Sequence, residues 1–391
     1  MRAMLEIRKI YLVHFLAGLS NIAAVTFTLY FLAYGLNQAQ IAGLFAIFMI
    51  SLAILEIPTG GFADTYGHKT SIVLGLLFQA LAFVVFFLYP NYLGFLVGMI
   101  SSSLGLAFQS GAISSLVYEI LQKERLNESF QKVLGKAGGY FLFGSIFGST
   151  IGSLIFKYNI GLPYFLAFVC FTAATIVMCF VKWEFTKKNH TTLFYLNIIR
   201  NGVLLTVKNK ILMATVVIGI ALTLNRMVFN QNINQPYLLD IGVDVAYIGV
   251  IAAIAGAIQA IVSINAYKVS KVFGKAISLL IIITIPTVTV GALSMIDTLI
   301  AIPVIYILFA GHAFRDPVLT HIAQDEVDPD KRSTMSSTIS FLVSICVGFL
   351  IPYWGKRIDL LGIPTVLLYL GTFTITVGGL GLLLYIWGRK N

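Results

Sequence analysis

The stretch EIPTGGFADTYGHK, from Glu56 to Lys69, decides how the rest of the chain is read. An apolar run from Ile41 to Ile57 leads into it and ends at Pro58 and the pair Gly60/Gly61, and a second apolar run starts at Ile72. A short polar break between two such runs reads as a turn between membrane-spanning helices. Asp64 closes the first helix, and Gly67 turns the chain where a side chain would clash. His68 and Lys69 then lie among lipid headgroups on the positive, cytoplasmic side.

Composition points the same way. Of 391 residues, 58% are hydrophobic and 11% charged, against about 25% charged in a soluble domain. Unpaired backbone amides cannot stay in hydrocarbon, which leaves helices or a closed barrel, and long continuous apolar runs choose helices. The fold class is therefore an all-α polytopic membrane protein. Cys170, Cys179 and Cys346 lie inside apolar runs and offer neither a disulfide framework nor a thiolate metal site. The net charge of +10 is spread over short segments, which suits a membrane surface and argues against nucleic acid.

The run that follows Arg2, Arg8 and Lys9 is too long for a signal peptide and reads as a retained first span. Six apolar runs occupy residues 1–181 and six more occupy 211–391. Between them lies a basic interval, 182–210, whose apolar stretch from Leu193 to Ile199 suits a short interfacial helix. Twelve transmembrane helices in two six-helix bundles follow. With the N-terminus inside, 21 of the 26 Lys and Arg fall in cytoplasmic segments. Both termini are thus expected in the cytoplasm of a cell inner (plasma) membrane.

Gly60, Asp64, Gly67 and Lys69 match the pattern G-x-x-x-D-x-x-G-R-[RK] of the loop between helices 2 and 3 of the major facilitator superfamily, which the chain resembles along its whole length. His68 departs from that pattern. The segment HIAQDEVDPDKRSTMSS resembles the loop between helices 10 and 11 in drug-exporter branches, with Arg332 as the matching residue. The resemblance implies the major facilitator fold, with paired three-helix repeats enclosing a central cavity. It also implies a gating role for Gly60, Asp64, Gly67, Lys69 and Arg332. A small-molecule substrate, the proton as coupling ion, surrounding membrane lipid, a monomeric state and no cofactor are expected with it. Gly144, Gly148 and Gly152 resemble an antiporter motif of the fifth helix, but Ser149 and Thr150 stand where its proline belongs. In the second half, AYKVSKVFGKA carries Lys271 three residues before Gly274, where the first half has Asp64 three residues before Gly67. The second inner turn is expected to lack the acid latch.

Ionisable groups inside spans are costly, so each needs a reason. Glu56 and Glu119 lie near the cytoplasmic ends of the second and fourth spans and read as proton-linked groups or as structural acids. Arg226 lies among Asn225, Asn230, Gln231, Asn232, Asn234 and Gln235 and before Pro236, as a broken helix lining a wet substrate cavity requires. In GHAFRDP, His312 and Asp316 share a helical face and Arg315 adjoins the acid. This group reads as a proton-linked switch or as a packed ion pair. No Walker loop, dinucleotide fingerprint or H-E-x-x-H occurs, and no enzymatic activity is expected.

The leading reading is proton-coupled efflux of amphipathic or hydrophobic small molecules by alternating access. Arg226 and its amides motivate an alternative, carriage of a polar or anionic solute; a lipid or lysolipid carrier is a further one. A receptor or assembly factor that moves no solute is the reading from another class.

Overall fold

The computed structural model describes residues 2–123, 129–183, 192–328 and 332–390, and every element in it is helical. Arg125, Lys187, Lys188 and Lys331, counted above in the charge bias, lie outside the described residues. The first span is broken into α1 (Arg2–Leu19), α2 (Asn21–Ala24) and α3 (Phe27–Ala33). There follow α4 (Gln38–Tyr66), α5 (His68–Leu88), α6 (Tyr92–Gln109), α7 (Ala112–Lys123), α8 (Phe130–Tyr158) and α9 (Leu162–Cys179). After α10 (Thr192–Lys208) come α11 (Lys210–Val228), a π-helical turn (Phe229–Ile233) and α12 (Asn234–Asp240). The last four are α13 (Val245–Leu293), α14 (Ala301–Asp325), α15 (Arg332–Leu361) and α16 (Ile363–Lys390).

Ten of these stretches are long and apolar enough to cross a membrane, and the bent first span makes an eleventh. Gly274, at φ 75°, divides α13 into two helices, so the described residues hold twelve spans. Gly67 has the same left-handed backbone, at φ 98°, between α4 and α5. A residue with a Cβ is strained there, and the corresponding turns of the two halves solve the reversal with glycine.

The chain forms two compact units. The first comprises Met1–Gly35, Ile47–Tyr195 and Asp244–Ala253, and the second Leu36–Ala46, Leu196–Val243 and Ile254–Asn391. In the first, α8 lies along α1 and α2, and α5 packs on α6 and α9. The glycine stripe of α8 makes the close approach possible. A Cβ at Gly144, Gly148 or Gly152 would fall 2.2, 2.4 and 2.0 Å from the carbonyl oxygens of Phe15, Leu19 and Ile22. Small residues of this kind let helices meet backbone to backbone where lipid provides no hydrophobic drive. Elsewhere in this unit the ring of Tyr30 stacks on Tyr164 at 3.7 Å, and its hydroxyl donates to the Phe86 carbonyl at 2.9 Å.

In the second unit α11 is the most buried of the spans. Its Ile211, Ala214, Ile218 and Leu222 pack with Leu279 and Ile283 of α13 and with Phe314 and Val318 of α14. Asn209 caps it, accepting from the backbone of Ile211 and Leu212 at 2.8 and 3.2 Å, which satisfies amides that a helix start leaves unpaired. The interval between the two sets of six spans holds α10, longer than the expected short stretch. It lies against α15, because a Cβ at Gly202 would fall 2.2 Å from the hydroxyl of Thr338.

Candidate functional site

The polar residues of α11 and α14 come together inside the second unit. Thr374 donates its hydroxyl to the Leu370 carbonyl at 2.7 Å, so its oxygen is an acceptor for the amide of Asn225 at 2.9 Å. The other end of Asn225 is then its oxygen, 3.0 Å from Nε2 of His312. This chain of donors fixes the imidazole as the tautomer with hydrogen on Nε2. Nδ1 of His312 is left as a buried acceptor without a partner among the described residues.

Beside this relay lie two guanidinium groups. Arg315, 8% exposed, donates through Nη1 to the Thr223 hydroxyl at 2.6 Å and through Nε to Asp316 at 2.8 Å. Arg226 is close enough to feel the charges of both Arg315 and Asp316, yet its buried Nε has no partner among the described residues. Arg315 alone pairs with that carboxylate, and Arg226 forms no ion pair among the described residues, which leaves a surplus of positive charge in a place where charge is costly. The side-chain oxygens of Asn230, Asn232 and Asn234 are also buried without partners. A cavity of about 110 Å³ reaches Arg315 and Asp316 past the hydroxyl-bearing Thr215, Thr223, Thr320 and Ser336.

The expected break at Pro236 is replaced by the π-helical turn Phe229–Ile233, closed by the Asn234 amide on the Phe229 carbonyl. The α register restarts at Asn234, so Pro236 falls in a first turn, where its missing N–H costs little. Asn232 donates to both oxygens of Gln38, at 3.1 and 2.9 Å.

The turn from Glu56 to Lys69 has its own cluster in the first unit. His68 is buried between two acids, 3.0 Å from Glu119 and 3.7 Å from Asp64. The closer approach is not a hydrogen bond, because Nδ1 of His68 has no hydrogen-bond partner among the described residues. Trp183 donates its indole N–H to the other oxygen of Glu119 at 2.9 Å. Lys69 and Lys9 donate to the last carbonyls of α9 and its cap, Cys179 and Phe180, at 2.8 and 2.7 Å, where cations complement a helix C-terminus. A Cβ at Gly60 would meet no protein atom within 4 Å. Arg332 donates to the Gln324 carbonyl at 3.2 Å. Glu56 is exposed, and its carboxylate has no hydrogen bond or ion pair among the described residues.

The profile of the Major Facilitator Superfamily matches residues 10–349.

The chain belongs to the Major Facilitator Superfamily.

It is a secondary-active transporter of that superfamily, and the family is not a catalytic one. It is similar to the uncharacterized MFS-type transporter MJ1560 of Methanocaldococcus jannaschii, 24% identical over 383 residues that cover 92% of each chain. Multidrug resistance protein 2 of Bacillus subtilis is 29% identical over 150 residues, 38% of this chain and 36% of that one. The crystal structure of the nucleoside transporter NupG superposes with a TM-score of 0.82 at 14% identity, over 97% of this chain and 99% of that one. That likeness bears on the fold, and the fold is that of the superfamily.

In this superfamily transporter the turn at Gly274 has no acid at the position that Asp64 holds before Gly67. Lys271 does stand where the first half has an acid, but an acid is supplied from another helix: Asp325, at the end of α14, pairs with Lys275 and has His321 at 3.8 Å. The partners Thr223, Thr374 and Trp183 carried no signal in the sequence. A lone Thr in an apolar run is ordinarily satisfied by its own helix, and nothing in the spacing joins Trp183 to Glu119.

Proposed function

We infer that the chain carries a polar solute with an anionic group by alternating access, with 1–181 and 211–391 as the moving bundles. The observation that carries this reading is the surplus charge of Arg226 and Arg315 over Asp316, together with three unpartnered amide oxygens further along the same span as Arg226. A carboxylate, phosphate or sulfate would neutralise that surplus through charge-assisted bonds. The amide oxygens and Nδ1 of His312 would accept hydroxyl or amine hydrogens of the same solute. The nucleoside cargo named for the similar structure is polar as well.

The proton is the coupling ion in this reading, and Glu56 is the acid available to carry it. Of the three proton-linked candidate acids Glu56, Glu119 and Asp316, Glu119 is bonded to Trp183 and Asp316 to Arg315. Asp64, Lys69 and Arg332 act at the inner gate, and both termini lie in the cytoplasm of the inner membrane.

Efflux of lipophilic molecules is the second reading, favoured by the partial match to a multidrug resistance protein. A thermal-shift screen of the purified chain with anions, nucleosides, sugars, amino acids and cationic drugs, followed by the dissociation constant of one hit, separates the two. For an anionic solute, Arg226→Ala loses a bond worth roughly 2 kcal/mol, about thirtyfold in affinity, and Arg226→Lys recovers part of it. A lipophilic cation that binds the Ala variant as well as or better than wild type would overturn the polar reading.

A further inference from the structure

A groove in the first unit joins a basic mouth to an aromatic wall. Its wider lobe, about 580 Å³, is bounded by Met4, Arg8 and Tyr11 of α1 and by Lys136, Tyr140 and Phe143 of α8. A second lobe of about 420 Å³ continues past Leu12 and Phe15. Tyr11 stacks on Tyr140 at 5.1 Å and Phe15 lies against Phe143 at 6.1 Å, so the two helices close the groove behind with paired rings. In front nothing among the described residues covers it: a Cβ at Gly135, Gly138 or Gly139 would meet no atom within 4 Å.

The charge at the mouth is uncompensated. Arg8 and Lys136 are exposed, neither has a hydrogen bond or ion pair among the described residues, and no acid lines either lobe. The neighbouring Lys9 shows the contrast, since Glu6 holds it at 2.9 Å and the Phe180 carbonyl at 2.7 Å. Two free cations at one end of an apolar trough match a molecule with a negative head and a hydrocarbon body. A small soluble anion would satisfy the mouth and leave the aromatic lobe empty. Arginine forks onto phosphate oxygens, lysine adds a second positive charge, and basic recesses between helices on the cytoplasmic side suit anionic headgroups.

We propose that the groove between α1 and α8 is a binding site for an anionic phospholipid, with its phosphate on Arg8 and Lys136 and its acyl chain along Tyr11, Phe15, Tyr140 and Phe143. The leaflet is the one that the charge bias makes cytoplasmic. The site is separate from Arg226 and does not depend on the identity of the transported solute.

The test uses the full chain in neutral detergent, with phosphatidylglycerol and phosphatidylcholine of identical acyl chains and with glycerol phosphate as the soluble arm. Retained lipid is counted by native mass spectrometry and the thermal midpoint is followed in parallel. Phosphatidylglycerol should be retained and raise the midpoint, with phosphatidylcholine and glycerol phosphate doing neither. The double variant Arg8→Ala, Lys136→Ala should weaken phosphatidylglycerol roughly thirtyfold. Gly139→Leu places a side chain in open groove, in a helix that favours leucine over glycine, and should block the lipid while the lipid-free midpoint holds or rises. Equal retention of the two lipids, a full phosphatidylglycerol response in either variant, or an equal response to glycerol phosphate would each overturn the proposal.

Discussion

Asp359 and Gln38 are 321 residues apart in the chain, and Oδ1 of Asp359 accepts the backbone N–H of Gln38 at 3.0 Å. Its Oδ2 accepts the N–H of Ala39 at 2.9 Å. A carboxylate from α15 thus caps the first turn of α4, and the approach is close: a Cβ at Gly355 would fall 2.4 Å from that of Ala42. Asp359→Ala should cost about 1 kcal/mol, as loss of a helix cap does. Asp359→Asn, which keeps one acceptor, should lie between the two in a thermal unfolding series, and equal midpoints for all three would show the cap contributes nothing.

The relay through Asn225 should behave as a unit. Asn225→Leu leaves the Nε2 hydrogen of His312 buried and unpaired, at a cost of roughly 1–3 kcal/mol. Adding His312→Phe removes the stranded donor, so the pair of substitutions should cost less than the sum of the two. Additive losses in a double-mutant cycle would mean the bond is not formed.

Glu119 makes two separable contacts at the turn between α4 and α5, one oxygen 3.0 Å from the His68 imidazole and the other accepting the Trp183 indole N–H. With Trp354 and Trp387 replaced by Phe, emission from Trp183 should change in Glu119→Ala and stay near wild type in Glu119→Gln. A matching change in both would show that charge, not the indole bond, sets the environment of the ring.

Acid should weaken one link outside the spans. Asp244 bonds to Lys157 at 2.6 Å and caps Ala246 at 2.9 Å, and these partners, Lys157 first, hold its carboxyl below the usual carboxylate range. A carboxylate with a lowered folded pKa contributes above its unfolded pKa, near 4, and loses that contribution as pH falls through the folded value. Thermal midpoints measured from pH 6 down to pH 3 should therefore fall less in Asp244→Asn than in wild type. Parallel curves would show the pair adds no pH dependence.

The sequence made the twelve spans and the turn at Gly67 legible because both leave marks that need no tertiary knowledge. Apolar runs of spanning length have one solution in lipid, and Gly67 and Gly274 stand where the chain must adopt a left-handed backbone. The amide-rich seventh span was legible as unusual, since six Asn and Gln within eleven residues cannot be explained by lipid. Which of them would be spent on the protein was not legible. Asn225 is consumed by His312 and Thr374, and that pairing depends on how α11, α14 and α16 are rotated about their axes. Asp325 was missed as the second acid for the same reason. An acid 51 residues from Gly274, the counterpart of Gly67, looks remote in the linear sequence, but Asp325 and Lys275 are brought together by the fold.

The π-helical turn Phe229–Ile233 also has a consequence for comparing this chain with others. It holds one residue more than an α turn, and each residue advances a helix by about 100°. A relative with an uninterrupted seventh helix presents, beyond this point, a face offset by one position from the one a gapless alignment assigns. Tyr237, whose hydroxyl donates to the carbonyls of Leu293 and Ile296, would be matched to a residue pointing elsewhere. Equivalences drawn through residues 234–240 therefore need a one-residue gap at 229–233 before any role is transferred between the two helices.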